Sequence, residues 1–257
     1  MTLTVVTVCF NSSKTISRCI ESVLSLNNVT FEYIIIDGKS TDNTLEIIES
    51  YRTLFEAKQI PLRIISEKDT GIYNAMNKAI DIAKGQWVIY LNSEDYFYDS
   101  ESIARIINSV NDNVAVLYGD VMVATSEINF LHKPRNLERV KSGTEMPFCH
   151  QSTFVRKEIL ERYRFDEKYR IIADIDAFLR MYEDGLSFSY KPECVSVFSN
   201  DGISQTQRVK SIKEGKILLK NHNCYGIDRK IVLNMYLIWY KVKKYLPKSV
   251  VAIMRSN

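Results

Sequence analysis

Between Leu3 and Leu91 the chain alternates short apolar runs with stretches of helical spacing, and no other feature restricts its fold as strongly. Leu3–Cys9 (LTVVTVC) is β-branched and free of Gly and Pro, as a strand buried on both faces of a parallel sheet should be. Ser12 or Ser13 can cap the next segment, in which Ile16, Ile20, Val23 and Leu24 predict a helix over about Lys14–Leu26. The unit then repeats: strand Phe31–Ile36, helix Thr44–Phe55, strand Leu62–Ile65, helix Ile72–Ala83, strand Trp87–Leu91. This alternation predicts an α/β domain with right-handed crossovers and a mostly parallel central sheet covered by helices on both faces. Ligands of such folds bind beyond the carboxyl ends of the strands, so chemistry is expected in the loops that start at Phe10, Asp37, Glu67 and Asn92.

After Ser100 the pattern is less regular. The spacing predicts a helix near Ile103–Val110, strands Val114–Tyr118 and Val121–Ala124, a flexible loop over His132–Met146, and a strand over Phe148–Val155. A helix over Ile172–Tyr182 and short strands Leu186–Tyr190 and Cys194–Phe198, separated by Pro192, complete the body. Helical spacing returns from Gln205. We therefore expect a domain over 1–204, with a nucleotide-binding half to about residue 100 and an acceptor half after it, and a helical tail over 205–257.

The tail is also where the charge changes sign. Residues 205–257 hold 12 Lys and Arg against 2 Asp and Glu, a net of +10; since the whole chain carries +3, residues 1–204 carry −7. The apolar stretch Ile231–Tyr240 is too short to span a bilayer, which takes about 20 residues. Beside Lys241, Lys243, Lys244 and Lys248, it suits either an anionic membrane surface or a helix packed on the body with a solvated basic face. No nucleic-acid-binding motif accompanies the charge, so nucleic acid is not expected as a partner. The 5 Cys are scattered, odd in number and never spaced as CxxC, which argues against disulfides and zinc. No apolar signal segment comes after Met1. A cytoplasmic location is expected, with the tail placing the protein on the inner face of the cell membrane if it binds lipid.

Each strand-end loop carries a group suited to a nucleotide. Phe10-Asn11 offers a stacking face and an amide. In Asp37-Gly38-Lys39-Ser40 the Asp37 carboxylate can accept bonds from a base or ribose, and Gly38 permits close backbone approach. Asp42-Asn43 reads as a helix cap. The third loop, Glu67 to Lys78, brings Asp69, Asn74 and Asn77 to a strand-to-helix junction, where backbone N–H groups favour an anionic ligand. The fourth, Asn92-Ser93-Glu94-Asp95, puts two adjacent carboxylates after a buried strand, which is costly without a cation beside them. Hard oxygen ligands of this kind select Mg²⁺ or Mn²⁺.

These segments, V-T-V-C-F-N-S, I-I-I-D-G-K-S-T-D-N-T, S-E-K-D-T-G-I-Y-N-A-M-N-K-A and G-Q-W-V-I-Y-L-N-S-E-D taken in order, resemble the family 2 glycosyltransferases of the GT-A fold, a Rossmann-like fold, especially bacterial enzymes that build surface polysaccharides. The resemblance continues more loosely through His150-Gln151 and Ile172–Asp176. It implies that Thr7, Phe10, Asn11 and Asp37 hold the nucleoside of a UDP- or GDP-type sugar donor and that Asp69 lies at the base and ribose; Lys39, Asn74 and Asn77 are further candidates for binding the nucleotide sugar. Asp95 would ligate Mn²⁺ or Mg²⁺ on the diphosphate, with Ser93 and Glu94 beside it. Many members have Asp-x-Asp here; Ser93 replaces the first acid, which leaves Asp95 as the main protein ligand.

The reaction implied is inverting transfer of a sugar to a hydroxyl of a glycan or polyprenyl-diphosphate-linked acceptor, as in capsule, exopolysaccharide or O-antigen assembly. A carboxylate must take the hydroxyl proton. Asp174 or Asp176 is the candidate, and because positions two apart on a helix do not share a face, only one of them should point at the acceptor. His150 and Gln151 fall on the acceptor side; a lone His is equally suited to a structural hydrogen bond. Arg208 is a candidate for the diphosphate or, equally, a solvated cation. A dinucleotide-dependent oxidoreductase needs a Gly-rich turn after the first strand, which Cys9-Phe10-Asn11-Ser12-Ser13 lacks. A non-catalytic nucleotide-sugar-binding or scaffold protein of the same fold stays open as the alternative.

Overall fold

The computed structural model describes residues 3–110, 113–125, 128–142, 146–199, 207–224 and 226–242. Four strands form the first half: β1 (Leu3–Cys9), β2 (Phe31–Asp37), β3 (Leu62–Ser66) and β4 (Trp87–Tyr90). Between them run α1 (Ile16–Leu24), α2 (Thr44–Ser50), α3 (Arg52–Ala57) and α4 (Ile72–Ile82). These strands are parallel in the order β3-β2-β1-β4. Alternation along β1 explains its uniform burial: Val6 and Val8 enter one core cluster with α4, and Val5 and Cys9 enter the other with α1. Helices therefore cover both faces.

The second half contains β5 (Tyr96–Phe97), α5 (Ser102–Asn108), β6 (Val116–Ala124), β7 (Asn129–His132), β8 (Thr153–Arg156), α6 (Lys157–Tyr163), α7 (Ala173–Glu183) and β9 (Phe188–Ser199). It adds β8-β6-β9-β5 to the same sheet, with β7 paired to β6. The joint at β4–β8 is antiparallel, β8–β6 is antiparallel, and β6–β9 is parallel. This is the GT-A fold.

Several sequence expectations need correction. The helix over Thr44–Phe55 is two helices that meet at Tyr51. Val114–Tyr118 and Val121–Ala124 are one strand, and so are the two segments flanking Pro192. Pairing passes from Tyr118↔Tyr190 to Asp120↔Cys194, so the residues around Pro192 bulge out and its missing N–H breaks no ladder bond. Of Phe148–Val155 only the part from Thr153 is strand, because His150–Ser152 is a 3₁₀ turn. The stretch after His132 holds a 3₁₀ turn, Leu137–Ser142, with Val140 fully buried. β5, β7 and α6 are additions to the elements that the spacing predicts.

Beyond the body lie α8 (Arg208–Asn221) and α9 (Ile227–Val242); the boundary at residue 204 and the basic residues after 242 lie outside the described residues. α8 sinks Ile212, Leu218 and Leu219 into the same core cluster as α4 and α7. α9 comes next with Leu233 buried, but turns Ile227, Ile231, Met235 and Ile238 outward. Among the described residues no helix is long and apolar enough to cross a membrane.

Candidate active site

Because β1, β2 and β3 are parallel and in register, Cys9, Asp37 and Ser66 end side by side, and the loops after them open at one edge of the sheet. A cleft of about 480 Å³ lies there, lined from the first half by Phe10, Asp69 and Asn92–Asp95, and from the second by His150, Gln151, Arg170 and Asp174. Asp95 and Asp174 thus share one hollow.

The nucleotide-side residues divide into those that line the cleft and those that build it. Phe10 is 60% exposed at the cleft edge, which is unusual for so large an apolar ring. Gly38 lies beneath it: a Cβ there would stand 2.6 Å from Asp69 Oδ2 and 3.5 Å from the Phe10 ring. Asp69 Oδ1 accepts the Gly71 N–H at 3.0 Å, fixing the carboxylate. Asp37 is fully buried and accepts bonds from the Ser40 hydroxyl, the Ser40 N–H and the Ser66 hydroxyl. Asn11 and Lys39 take positive φ (51° and 66°), and Asn11 Oδ1 accepts the Thr41 N–H at 2.8 Å, tying the first loop to the second. The Thr7 hydroxyl faces the core and accepts from Tyr33 at 2.8 Å. Asn74 and Asn77 both donate to Glu167, and Asn77 also exchanges bonds with the backbone of Phe165. Thr7, Asn11, Asp37, Lys39, Asn74 and Asn77 do not line the cleft among the described residues.

At the end of β4, Asp95 is 3% exposed and Ser93 bonds Ser12 through the two hydroxyls at 2.8 Å. Asn92 Oδ1 is buried with no hydrogen-bond partner among the described residues. No group of three His, Cys, Asp or Glu converges among the described residues, so a preformed all-protein metal cage is absent there. One nearly buried carboxylate, Glu94 beside it and an unsatisfied amide oxygen are nonetheless a hard, oxygen-only set. Such a set fits a divalent cation that takes most of its ligands from phosphates and water.

On the opposite wall, Asp174 begins α7. Its Oδ1 accepts the Tyr73 hydroxyl at 2.9 Å and the Ile175 N–H at 2.9 Å. Burial, and then the Asp174 carboxylate itself, hold the Tyr73 phenol protonated well above its usual range, so Tyr73 is the donor. Asp174 Oδ2 stands 3.8 Å from His150 Nδ1. Asp176 points elsewhere: it is 2% exposed, pairs with Arg180 at 2.8 Å and lies 3.3 Å from His222. Asp174 lines the cleft and Asp176 does not.

The His150 ring packs against Tyr90 and Phe165, and both ring nitrogens are buried without a hydrogen-bond partner among the described residues. Burial lowers its pKa below the ordinary 6.5, with Asp174 pulling it partly back. Below about pH 6.5 the unfolded chain therefore takes up a proton that folded His150 resists, and stability should fall as pH drops from there toward the folded value, with no contribution above it. Urea titrations between about pH 7.5 and 5.5 should give a steeper loss for native protein than for His150→Gln; equal slopes would refute this.

Arg170, Tyr73 and Ser12 line the cleft although no sequence pattern marks them as ligand-binding, and Arg208 is not among its lining residues. The Arg170 backbone N–H and that of Ile171 donate to Glu214 of α8 at 3.1 and 2.9 Å, an alliance hidden by separations of 44 and 43 positions.

The family model "Glycosyl transferase family 2" matches residues 4–183, and the chain belongs to that family. It is 27% identical over 179 residues to the PGL/p-HBAD biosynthesis glycosyltransferase of Mycobacterium tuberculosis, covering 68% of this chain and 67% of the relative. It is 23% identical to the poly(ribitol-phosphate) beta-glucosyltransferase of Bacillus spizizenii over 91% of this chain, but only 42% of that protein. Among solved structures, S. aureus TarS 1-349 in complex with UDP-GlcNAc superposes with a TM-score of 0.67 at 17% identity, over 86% of this chain and 67% of that one. Mannosyltransferase PcManGT from Pyrobaculum calidifontis, in complex with GDP-Man and Mn²⁺, gives 0.69 at 14% identity, over 99% and 78%. At these identities the structural likeness carries the fold alone.

Proposed function

We propose that the protein is an inverting glycosyltransferase that moves a sugar from a UDP- or GDP-type donor to a hydroxyl of a glycan or polyprenyl-diphosphate-linked acceptor, in bacterial surface-polysaccharide assembly. The observation that carries this reading is the shared cleft, with Phe10, Asp69 and Asp95 on one wall and Asp174 on the other. Phe10 stacks on the base and Asp69 accepts from the ribose. Asn11 and Asp37 act from behind that surface by tying the first and second loops, Thr7 supports it from within the core, Lys39 borders it on the second loop, and Asn74 and Asn77 act through Glu167. Asp95, with Glu94 and Ser93 beside it, would hold Mn²⁺ or Mg²⁺; when bound, the ion supplies positive charge to the departing diphosphate. Asp174 takes the acceptor proton on Oδ2, since Oδ1 is occupied by Tyr73 and Ile175. His150 and Gln151 border the acceptor.

Thermal-shift screening of nucleotide sugars with and without Mn²⁺ identifies the donor, because a ligand of the native state raises apparent stability. Release of nucleoside diphosphate with lipid-linked acceptors then tests the transfer. Binding without release for every pairing would favour the non-catalytic reading. The outward apolar residues of α9, next to the basic tail, support a peripheral site on an anionic membrane. Equal recovery of the full chain and a chain ending at residue 226 in the supernatant of anionic liposomes would refute that.

A further inference from the structure

Four carboxylates line the cleft, Asp69, Glu94, Asp95 and Asp174, and among the described lining residues Arg170 alone carries a permanent positive charge. It sits in a definite place. The Phe10 ring and the Asp69 carboxylate meet over Gly38, and Asp69 holds the Gly71 N–H. Arg170 Nη1 donates to the Thr70 carbonyl and stands 3.2 Å from where a Cβ on Gly71 would lie. Along this rim the order is therefore aromatic ring, carboxylate, guanidinium. Gly71 has φ +143°, a conformation that side chains rarely adopt, and its bare Cα leaves the guanidinium its room.

We infer that Arg170 grips the diphosphate of the donor, so that charge neutralisation in this chain is shared between a guanidinium and a divalent ion. The inference rests on the donor reading above and deepens it. A nucleoside stacked on Phe10 with its ribose at Asp69 presents its phosphates to the next group on the rim, which is Arg170. The guanidinium fork suits phosphate oxygens bidentately, and the Thr70 carbonyl occupies only one of its N–H groups. Its root is held: Glu214 clamps the Arg170 and Ile171 N–H groups from α8. Ser93, where an acid would strengthen the ion's hold, bonds Ser12 instead.

The test compares the affinity of the full chain for UDP against uridine, and for GDP against guanosine, by calorimetric titration in EDTA. Native protein should prefer the diphosphate of the base it accepts by roughly tenfold to a hundredfold, the range of a charge-assisted hydrogen bond. Arg170→Gln should bind the nucleoside as native does and lose that preference, while Arg170→Lys keeps most of it. Arg170→Met, which retains the apolar stem, repeats the comparison in case glutamine is poorly accommodated. A native ratio near one, or a native-like ratio in the neutral variants with nucleoside binding intact, overturns the role of Arg170 and leaves the nucleoside pocket standing. A native chain that binds neither nucleoside nor diphosphate of either base overturns the donor reading and this inference with it.

Discussion

Asp174→Asn is expected to lower sugar transfer by about 10²- to 10⁴-fold, the usual contribution of a positioned proton acceptor, and to leave donor binding unchanged. The substitution is close to silent structurally. An amide oxygen can accept the same two bonds from Tyr73 and Ile175 that Asp174 Oδ1 accepts, so the start of α7 should keep its shape. What is lost is the negative charge on the oxygen facing His150 and the cleft. Release of nucleoside diphosphate in the presence of acceptor, beside donor affinity by titration, separates the two effects. Equal release by native and variant protein would remove Asp174 from the mechanism. Asp176→Asn supplies the contrast: it takes the charge of a buried carboxylate away from the partly exposed Arg180, at a cost of about 1.5–3 kcal/mol in stability, while turnover of the folded fraction should stay near native.

The second large effect concerns the C-terminal helices. A chain ending at residue 206 is expected not to fold cooperatively, whereas one ending at residue 226 should. Deleting α8 uncovers the sites of Ile212, Leu218 and Leu219, which are 2%, 0% and 0% exposed. At about 1.5–3 kcal/mol each, their loss removes roughly 5–9 kcal/mol, against the 5–15 that keeps a typical domain folded. It also frees the Arg170–Ile171 segment from Glu214. Urea unfolding of the two truncated chains decides the matter. A residue-206 chain with the same midpoint and slope as the full chain would show that α8 is the appendage its sequence suggests.

Legibility in the sequence tracks the range of the interactions. β1, β2 and α4 are readable almost to the residue because their burial is set by periodicity within each segment. The parallel strands then dictate where Phe10, Asp69 and Asp95 lie, and those three line the cleft. The second half is less legible, since its strands are defined by partners far along the chain: β9 runs through Pro192 only because β6 tolerates a bulge there. Arg170 is invisible for the same reason. Its neighbours Thr70 and Glu214 lie 100 and 44 positions away, and no local pattern announces them. Conversely, Thr7, Asn11, Asp37 and Asn77 stand out in the sequence as polar residues in significant places, but Thr7 bonds inside the core and the other three side chains bond neighbouring loop segments.

The clearance at Gly38 limits how this pocket can be remodelled. With a hydrogen as its only side chain and Asp69 Oδ2 just 2.6 Å from the position of a first carbon, residue 38 has nothing left to trim and can grow only by pushing the Asp69 carboxylate aside. Widening the cleft here must come from swinging or replacing Asp69, whereas any enlargement at 38 acts as a wedge against it. Change in the shape of this part of the cleft is thus channelled through Asp69 in the third loop rather than through residue 38 in the second.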